Sequence, residues 1–396
     1  MAGAQEGDRV ERNAVKDDRL PDKRRMRVML ITGSFPPMRC GVGDYTARLA
    51  EALGGRDDMS VAVLTSRETG SAKTPDGNYE VFPVVKKWKL SEFMRIVGVV
   101  RRWRPDIVHI QFPTQGYSNG LLPWLLPALL FLFNVKVAQT WHEYYITWRL
   151  RCLSIPKALV PGGLIVVRQD YKAGMPSFYR RLFRHREFRF ISNASALPRV
   201  VLSPQERLAL RERFAPAGKS LLVYFGFIYP NKGVELLFEI AVPEKHHIVL
   251  VGYFNEAEPY HKAIMERVRQ GRWAGKVTVA GFLPPEEAAR ILAAADAVIL
   301  PFLGGGGAWN TSLHGAALQG TFVLTTSGER HGYDALENIY YARRDDVEDM
   351  REALRLFAGK KNSSENISRL VTWDFIADEH VRLYKTLLGQ GEKRHE

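Results

Sequence analysis

A chain of 396 residues with only two cysteines, Cys40 and Cys152, lacks the cysteine density of a disulfide-stapled domain and any thiol cluster for structural zinc, and its length suits two domains with substantial cores. The net charge of +13 lies wholly in the first half: residues 1–200 hold 32 Lys and Arg against 18 Asp and Glu, and residues 101–200 hold 15 against 4. Such asymmetry points to one domain facing an anionic partner: a membrane surface, a phosphorylated lipid or a nucleic acid.

Residues 1–25 are charged and lack the apolar stretch of an export signal, so they read as a disordered tail on a cytoplasmic protein. RVMLIT (Arg27 to Thr32) reads as a buried strand, followed by a glycine-bearing loop and a helix that Asp44 can cap. Gly41 and Gly43 permit close backbone approach to a ligand at the carboxyl end of that strand, where open α/β sheets bind their ligands. Further strands are expected at Val61 to Thr65, Ile107 to Gln111, Val135 to Thr140 and Leu164 to Val167, with helices between several of them. The longest apolar run, Gly120 to Phe133, has 14 residues and two prolines, short of the roughly 20 needed to span a bilayer. It reads as a buried helix kinked at Pro127 or as a monotopic membrane contact. The second reading gains from the basic, aromatic segment Pro176 to Phe190, which carries five arginines.

The alternation of strand and helix restarts after Pro204, with strands at Leu221 to Phe225, Ile248 to Val251, Val277 to Ala280 and Val298 to Leu300. Two Rossmann-like halves in tandem, joined near Ala196 to Gln205, is the expected architecture. In the stretch Ile299 to Thr326 a buried strand gives way to four glycines, Gly304 to Gly307. Asn310, Thr311 or Ser312 can then cap a short helix, Leu313 to Gln319, closed by Gly320 before the strand Phe322 to Thr325. A backbone without side chains leading into unpaired helix-start N–H groups suits a phosphate or another anion.

Four segments taken together resemble one family, the retaining GT-B glycosyltransferases of the family-four type (glycosyltransferase group 1). PPMRCGVGDYTARLAEAL resembles that family's first loop, and LVYFGFIYPNKGVELLFEIA its donor loop. The glycine stretch resembles the segment that usually carries two glutamates seven residues apart. VTWDFIADEHVRLYKTLL resembles the helix that crosses back to the first domain.

The resemblance implies a GT-B fold, two Rossmann-like domains facing a cleft: an acceptor-binding domain over 26–197, a nucleotide-sugar domain over 198–370, and a crossing helix and tail over 371–396. It places Gly41 and Gly43 beside the donor phosphates and sugar, and His142 at the reaction cleft. Lys232 would meet the diphosphate, the amides of Gly306, Gly307, Ala308, Trp309, Asn310, Thr311 and Ser312 would hold the leaving phosphate, and Gly281 and Phe282 would flank the base. His142, Gly43 and Lys232 are the catalytic candidates. Two departures stand out. Gly226 is followed by Phe227 where the family commonly has arginine, and the glutamate positions fall on Gly307 and Gly315, with Asn310, Thr311 or His314 as candidate substitutes. In the front-face mechanism proposed for such enzymes the donor phosphate takes the acceptor proton, so no protein nucleophile, cofactor or metal is expected. The implied partners are a UDP- or GDP-linked sugar and a lipid-linked or anionic glycan acceptor, on the inner face of the cell membrane, in surface-polysaccharide or glycolipid assembly. Nucleic acid is not expected, since no recognition module is visible. The alternative is a non-catalytic relative acting as a scaffold in glycan assembly.

Overall fold

The computed structural model describes residues 24–70, 77–143, 155, 156, 158–172, 181 and 186–389. The first lobe is a parallel sheet of seven strands, β1 (Met26–Ile31), β2 (Met59–Ser66), β3 (Tyr79–Val85), β4 (Ile107–Phe112), β5 (Val137–Trp141), β6 (Gly163–Val166) and β7 (Glu187–Phe190), in spatial order 3-2-1-4-5-6-7. Its helices include α1 (Gly41–Gly54), α2 (Phe93–Trp103) and α3 (Leu122–Leu132). The second lobe repeats the plan with β8 (Ser220–Phe225), β9 (His246–Val251), β10 (Val277–Gly281), β11 (Ala297–Leu300), β12 (Val323–Ser327), β13 (Gly332–Asp334) and β14 (Ile339–Arg343), in order 10-9-8-11-12-14-13. Every pair is parallel except β13 on β14. Around that sheet pack α4 (Pro204–Phe214), α5 (Pro259–Arg269), α6 (Pro285–Ala294), α7 (Thr311–Leu318) and α8 (Val347–Phe357).

Both central strands of each lobe are largely buried on both faces, mostly by apolar residues as a sheet covered by helices requires, with His109 and Gln111 of β4 as buried polar exceptions. The strand order reverses between β1 and β4 and again between β8 and β11, so each lobe opens its ligand crevice at the carboxyl ends of those strands. The last helix, α9 (Trp373–Leu387), leaves the second lobe and buries Ile376, Ala377, Val381, Leu383 and Tyr384 against α1 and the first sheet. Removing those side chains from water is worth roughly 1.5–3 kcal/mol each for the larger ones, which fixes the crossing.

One local expectation is corrected. Cys40, not Asp44, caps α1: Cys40 has extended backbone (φ −153°, ψ 123°) and its carbonyl accepts from the Asp44 amide at 2.9 Å, which puts Asp44 inside the first turn. The run around Pro127 forms the half-buried helix α3 with Pro127 inside it, in keeping with the first of the two readings. Leu122, Leu126, Pro127 and Leu130 are buried, whereas Phe131, Leu132 and Phe133 are exposed. Most of the basic segment Pro176 to Phe190 lies outside the described residues; its end forms the edge strand β7. Among the described residues no helix is long and apolar enough to cross a membrane.

Candidate active site

The carboxyl ends of the two sheets face each other across a cavity of about 570 Å³. From the first lobe it is lined by Gly41 and Tyr45 of α1, by the β4–α3 segment with Phe112, Thr114, Tyr117 and Trp124, and by His142 and Glu143 after β5. From the second lobe come Phe227, Tyr229 and Lys232 after β8, Phe302 after β11, and Trp309 to Ser312 at the start of α7. Several contacts span the gap. Asn193 donates its amide to Ala308 O (3.0 Å) and its Nδ2 to Trp309 O (2.8 Å), the Arg168 guanidinium lies 3.7 Å from the Trp309 ring centroid, and Gln115 Nε2 meets Tyr229 Oη at 3.4 Å.

The two lobes contribute different chemistry. Gly226, with φ +138°, lets the chain turn out of β8 so close to α7 that a Cβ there would lie 2.8 Å from Ser312 Oγ. That approach brings the Lys232 turn and the start of α7 to one wall. Lys232 is the one Lys or Arg among the described lining residues. Its ammonium sits 4.7 Å from the Phe302 ring centroid, and it has no ion-pair partner among the described residues. Burial pushes its pKa down, and Glu143 across the cleft opposes that shift. An unpaired, half-desolvated cation is costly unless something negative arrives, and an anion in the cavity satisfies it. The amides of Thr311 and Ser312, in the first turn of α7, have no acceptor among the described residues and offer the same anion a helix start.

His142 lies opposite. It is buried, donates from Nε2 to Gln111 Oε1 at 2.8 Å, and packs edge-on to Tyr45 with ring centroids 4.7 Å apart. Burial first, and His380 second, push its pKa down to about 3, so at neutral pH it is an uncharged imidazole, whose Nδ1 carries the lone pair when Nε2 donates. Thr114 Oγ1 and Asn193 Oδ1, on lining residues of the same floor, are buried without a partner among the described residues. Both are groups that a hydroxyl-rich ligand or water would satisfy.

The cavity gathers Gly41, His142, Lys232, Trp309, Asn310, Thr311 and Ser312, and leaves the other named residues outside its lining. Gly43 is buried against the Ser34 carbonyl, where a Cβ would come within 3.0 Å, so its small size serves helix–loop packing. The expected grip by the whole glycine loop is corrected. The Gly306 amide is spent on Thr326 O (2.7 Å) and that of Gly307 on Asn310 Oδ1 (2.9 Å), because the loop folds back on β12 and on its own helix cap. Ala308 turns its carbonyl to Asn193 and to His314 Nε2 (2.9 Å), which also occupies His314. Gly281 and Phe282 lie at the end of β10, outside the lining. There Arg39, from the β1–α1 loop, sits 4.0 Å over the Tyr253 ring and 5.2 Å over that of Phe282. Tyr45, Asn193, Glu143 and the aromatic wall of Phe112, Tyr117 and Trp124 were not read from the sequence. The signal was present as aromatic and polar residues directly after the apolar runs of β4 and β5.

Gly307 and Gly315, the glycines expected from the sequence at the two glutamate positions, are sterically committed. A Cβ on Gly307 would overlap the Trp309 ring, and one on Gly315 would press on Leu197 (3.3 Å) and Phe225 (3.5 Å). Gly307→Glu is therefore expected to lower stability by roughly 2 kcal/mol through overpacking, and Gly307→Glu with Trp309→Ala to recover most of it. Equilibrium unfolding of the four-member cycle checks this; additive losses would mean that the ring does not occupy the glutamate position.

Residues 40–226 match the glycosyl transferase 4-like domain, and residues 219–358 match the glycosyl transferases group 1 domain. The two lobes are glycosyltransferase domains. The GT-B arrangement of these domains recurs in solved structures at low identity. Sucrose-phosphate synthase from Thermosynechococcus elongatus superposes with a TM-score of 0.70 at 17% identity, over 92% of this chain and 100% of that one. A glycosyltransferase from Rickettsia africae ESF-5 gives 0.70 at 14% identity, over 92% and 99%. Anabaena Alr3699/HepE, solved in complex with UDP and glucose, gives 0.68 at 14% identity, over 91% and 100%. No curated protein matches the chain. Among the described residues of these glycosyltransferase domains no group of three or more His, Cys, Asp and Glu is placed to hold a metal ion.

Proposed function

We propose that the protein transfers a sugar, with retention of anomeric configuration, from a UDP- or GDP-linked donor to a lipid-linked or anionic glycan acceptor during surface-polysaccharide or glycolipid assembly, at the cytoplasmic face of a membrane. The observation that carries the reading is the meeting, on one wall of the interlobe cavity, of a Lys232 ammonium that has no ion-pair partner among the described residues with the Thr311 and Ser312 amides, which have no acceptor among them. A diphosphate leaving group satisfies both. In the reaction the acceptor oxygen bonds to the anomeric carbon on the face from which the nucleoside diphosphate departs, and the acceptor proton passes to the departing phosphate. The protein supplies orientation and charge stabilisation, which suits a site whose only described carboxylate, Glu143, lies on the acceptor lobe. Support also comes from the UDP and UDP-glucose complexes of Anabaena Alr3699/HepE, which shares the fold. Incubating purified protein with a panel of UDP- and GDP-sugars tests the proposal: slow donor hydrolysis or saturable binding is expected with at least one. A panel with neither overturns it.

A second reading, a non-catalytic scaffold in glycan assembly, is favoured by Phe227, which stacks on Tyr229 (5.8 Å, 14° between planes) where the family commonly places an arginine. The same donor panel separates the two, since a scaffold has no reason to release nucleotide.

A further inference from the structure

Exposed large apolar side chains elsewhere on the molecule are scattered, but six gather at one edge of the first lobe. Leu90 and Met94 flank the start of α2, and Leu121, Phe131, Leu132 and Phe133 flank the two ends of α3; Met94 is 60% and Leu132 76% exposed. The edge is one surface because α3 is pinned to the α2 segment at both ends. Leu122 N donates to Trp88 O at 3.2 Å, and the Phe93 and Phe133 rings meet edge-on at 5.3 Å.

Charge surrounds the patch with a single sign. Between residues 86 and 104 there are seven Lys and Arg against one carboxylate, Glu92, which is itself tied to Arg95 at 2.8 Å. Arg101 lies 5.5 Å over the Phe133 ring, so cations and apolar groups are interleaved. An apolar tip ringed by lysine and arginine matches an anionic lipid surface, where acyl chains take the former and headgroups the latter. A protein partner burying this edge would need a matching acidic rim; a second copy of the chain brings another basic one.

We infer that the α2–α3 edge docks on an anionic lipid bilayer. The same helix joins that surface to the cleft. Trp124, which packs on Phe112 at 4.8 Å, lines the cavity, and Leu132 is eight residues further on. At 1.5 Å per residue the two are separated by about 12 Å along the axis. An acceptor can thus keep its lipid in the membrane while its glycan head enters the cavity along α3. The acceptor class rests on the transferase reading above; the docking surface does not.

The test uses the full chain and vesicles of phosphatidylcholine with or without about one-third phosphatidylglycerol, at low and high salt. Wild type is expected to co-sediment with the anionic vesicles only, and to weaken as salt rises. Met94→Gln with Leu132→Gln, both at exposed positions, is expected to lower binding about tenfold at either salt. Lys86→Gln with Lys87→Gln and Lys89→Gln is expected to lower it about tenfold at low salt and little at high salt. Donor hydrolysis without vesicles stays unchanged in both variants. Unchanged vesicle binding in both variants overturns the inference, as does an apolar variant that loses only self-association in sedimentation velocity. Wild type that binds vesicles as described yet neither binds nor hydrolyses any nucleotide sugar leaves the docking surface standing and removes the transferase reading.

Discussion

Lys232→Met is expected to lower kcat/KM for the nucleotide sugar by on the order of 100-fold, the usual cost of removing one preorganised donor aimed at developing charge. Methionine keeps the stem against the Phe302 ring and removes the one cation among the described lining residues. Affinity should distinguish the phosphates. Binding of the nucleoside diphosphate is expected to fall well below wild type while that of the monophosphate changes little, because the ammonium is assigned to the diphosphate and not to the base. Stability should move the other way. Burial pushes the Lys232 pKa down, so the folded protein holds this charge at a cost, and removing it is expected to leave the melting temperature equal or higher. A variant that loses activity and stability together would identify Lys232 as a structural residue. One that keeps both would remove the transferase reading's central contact.

The fold was legible where burial is two-sided. β1, β8 and β11 are largely apolar runs because helices cover both faces of their sheets, and β4 keeps enough Ile, Val and Phe around His109 and Gln111 to be seen in the same way. β3 was not expected: Pro83 interrupts it, and a proline is tolerated there because β3 is an edge strand. β13 and β14 were missed for a related reason, a three-residue antiparallel edge and a strand carrying Tyr and Arg. At the site, Lys232 and the start of α7 could be read because glycine turns and helix starts are local signals. Which amides remain free could not, since Thr326 O and Asn310 Oδ1 claim those of Gly306 and Gly307 through tertiary folding. Nor was the aromatic wall read, since Phe112, Tyr117 and Trp124, though close in sequence, are turned to the cavity only by the folding of the β4–α3 segment.

Acidification is expected to destabilise the protein steeply below about pH 6.5, and the cause lies between the crossing helix and the first sheet. His109 bonds Tyr384 Oη (2.6 Å) and Thr140 Oγ1 (2.8 Å), His380 bonds Ile376 O (2.7 Å) and Tyr45 Oη (3.4 Å), and Tyr45 packs on His142. All three imidazoles are buried, and burial pushes their pKa down, to about 4 for His380 and about 3 for His142. A base whose folded pKa is depressed contributes full stability above its unfolded value, near 6.5, and loses it as pH falls toward the folded value, because only the unfolded chain takes up the proton. Asp44 works against this. Its carboxyl is raised to about 6 by burial, so between about pH 6 and 4 the folded state gains one proton that the unfolded state does not. From these four groups the uptake on unfolding is then about two protons in that interval, or about 2.7 kcal/mol per pH unit. His314, half-buried and bonded to the Ala308 carbonyl of the glycine loop, adds to the loss in the same sense. Urea unfolding between about pH 7 and pH 4.5 measures the slope. His380→Gln is expected to reduce it by about one proton, and Asp44→Asn to increase it by about one. A flat stability profile across the interval would show that these imidazoles are hydrated in solution, and that the crossing helix does not seal the back of His142.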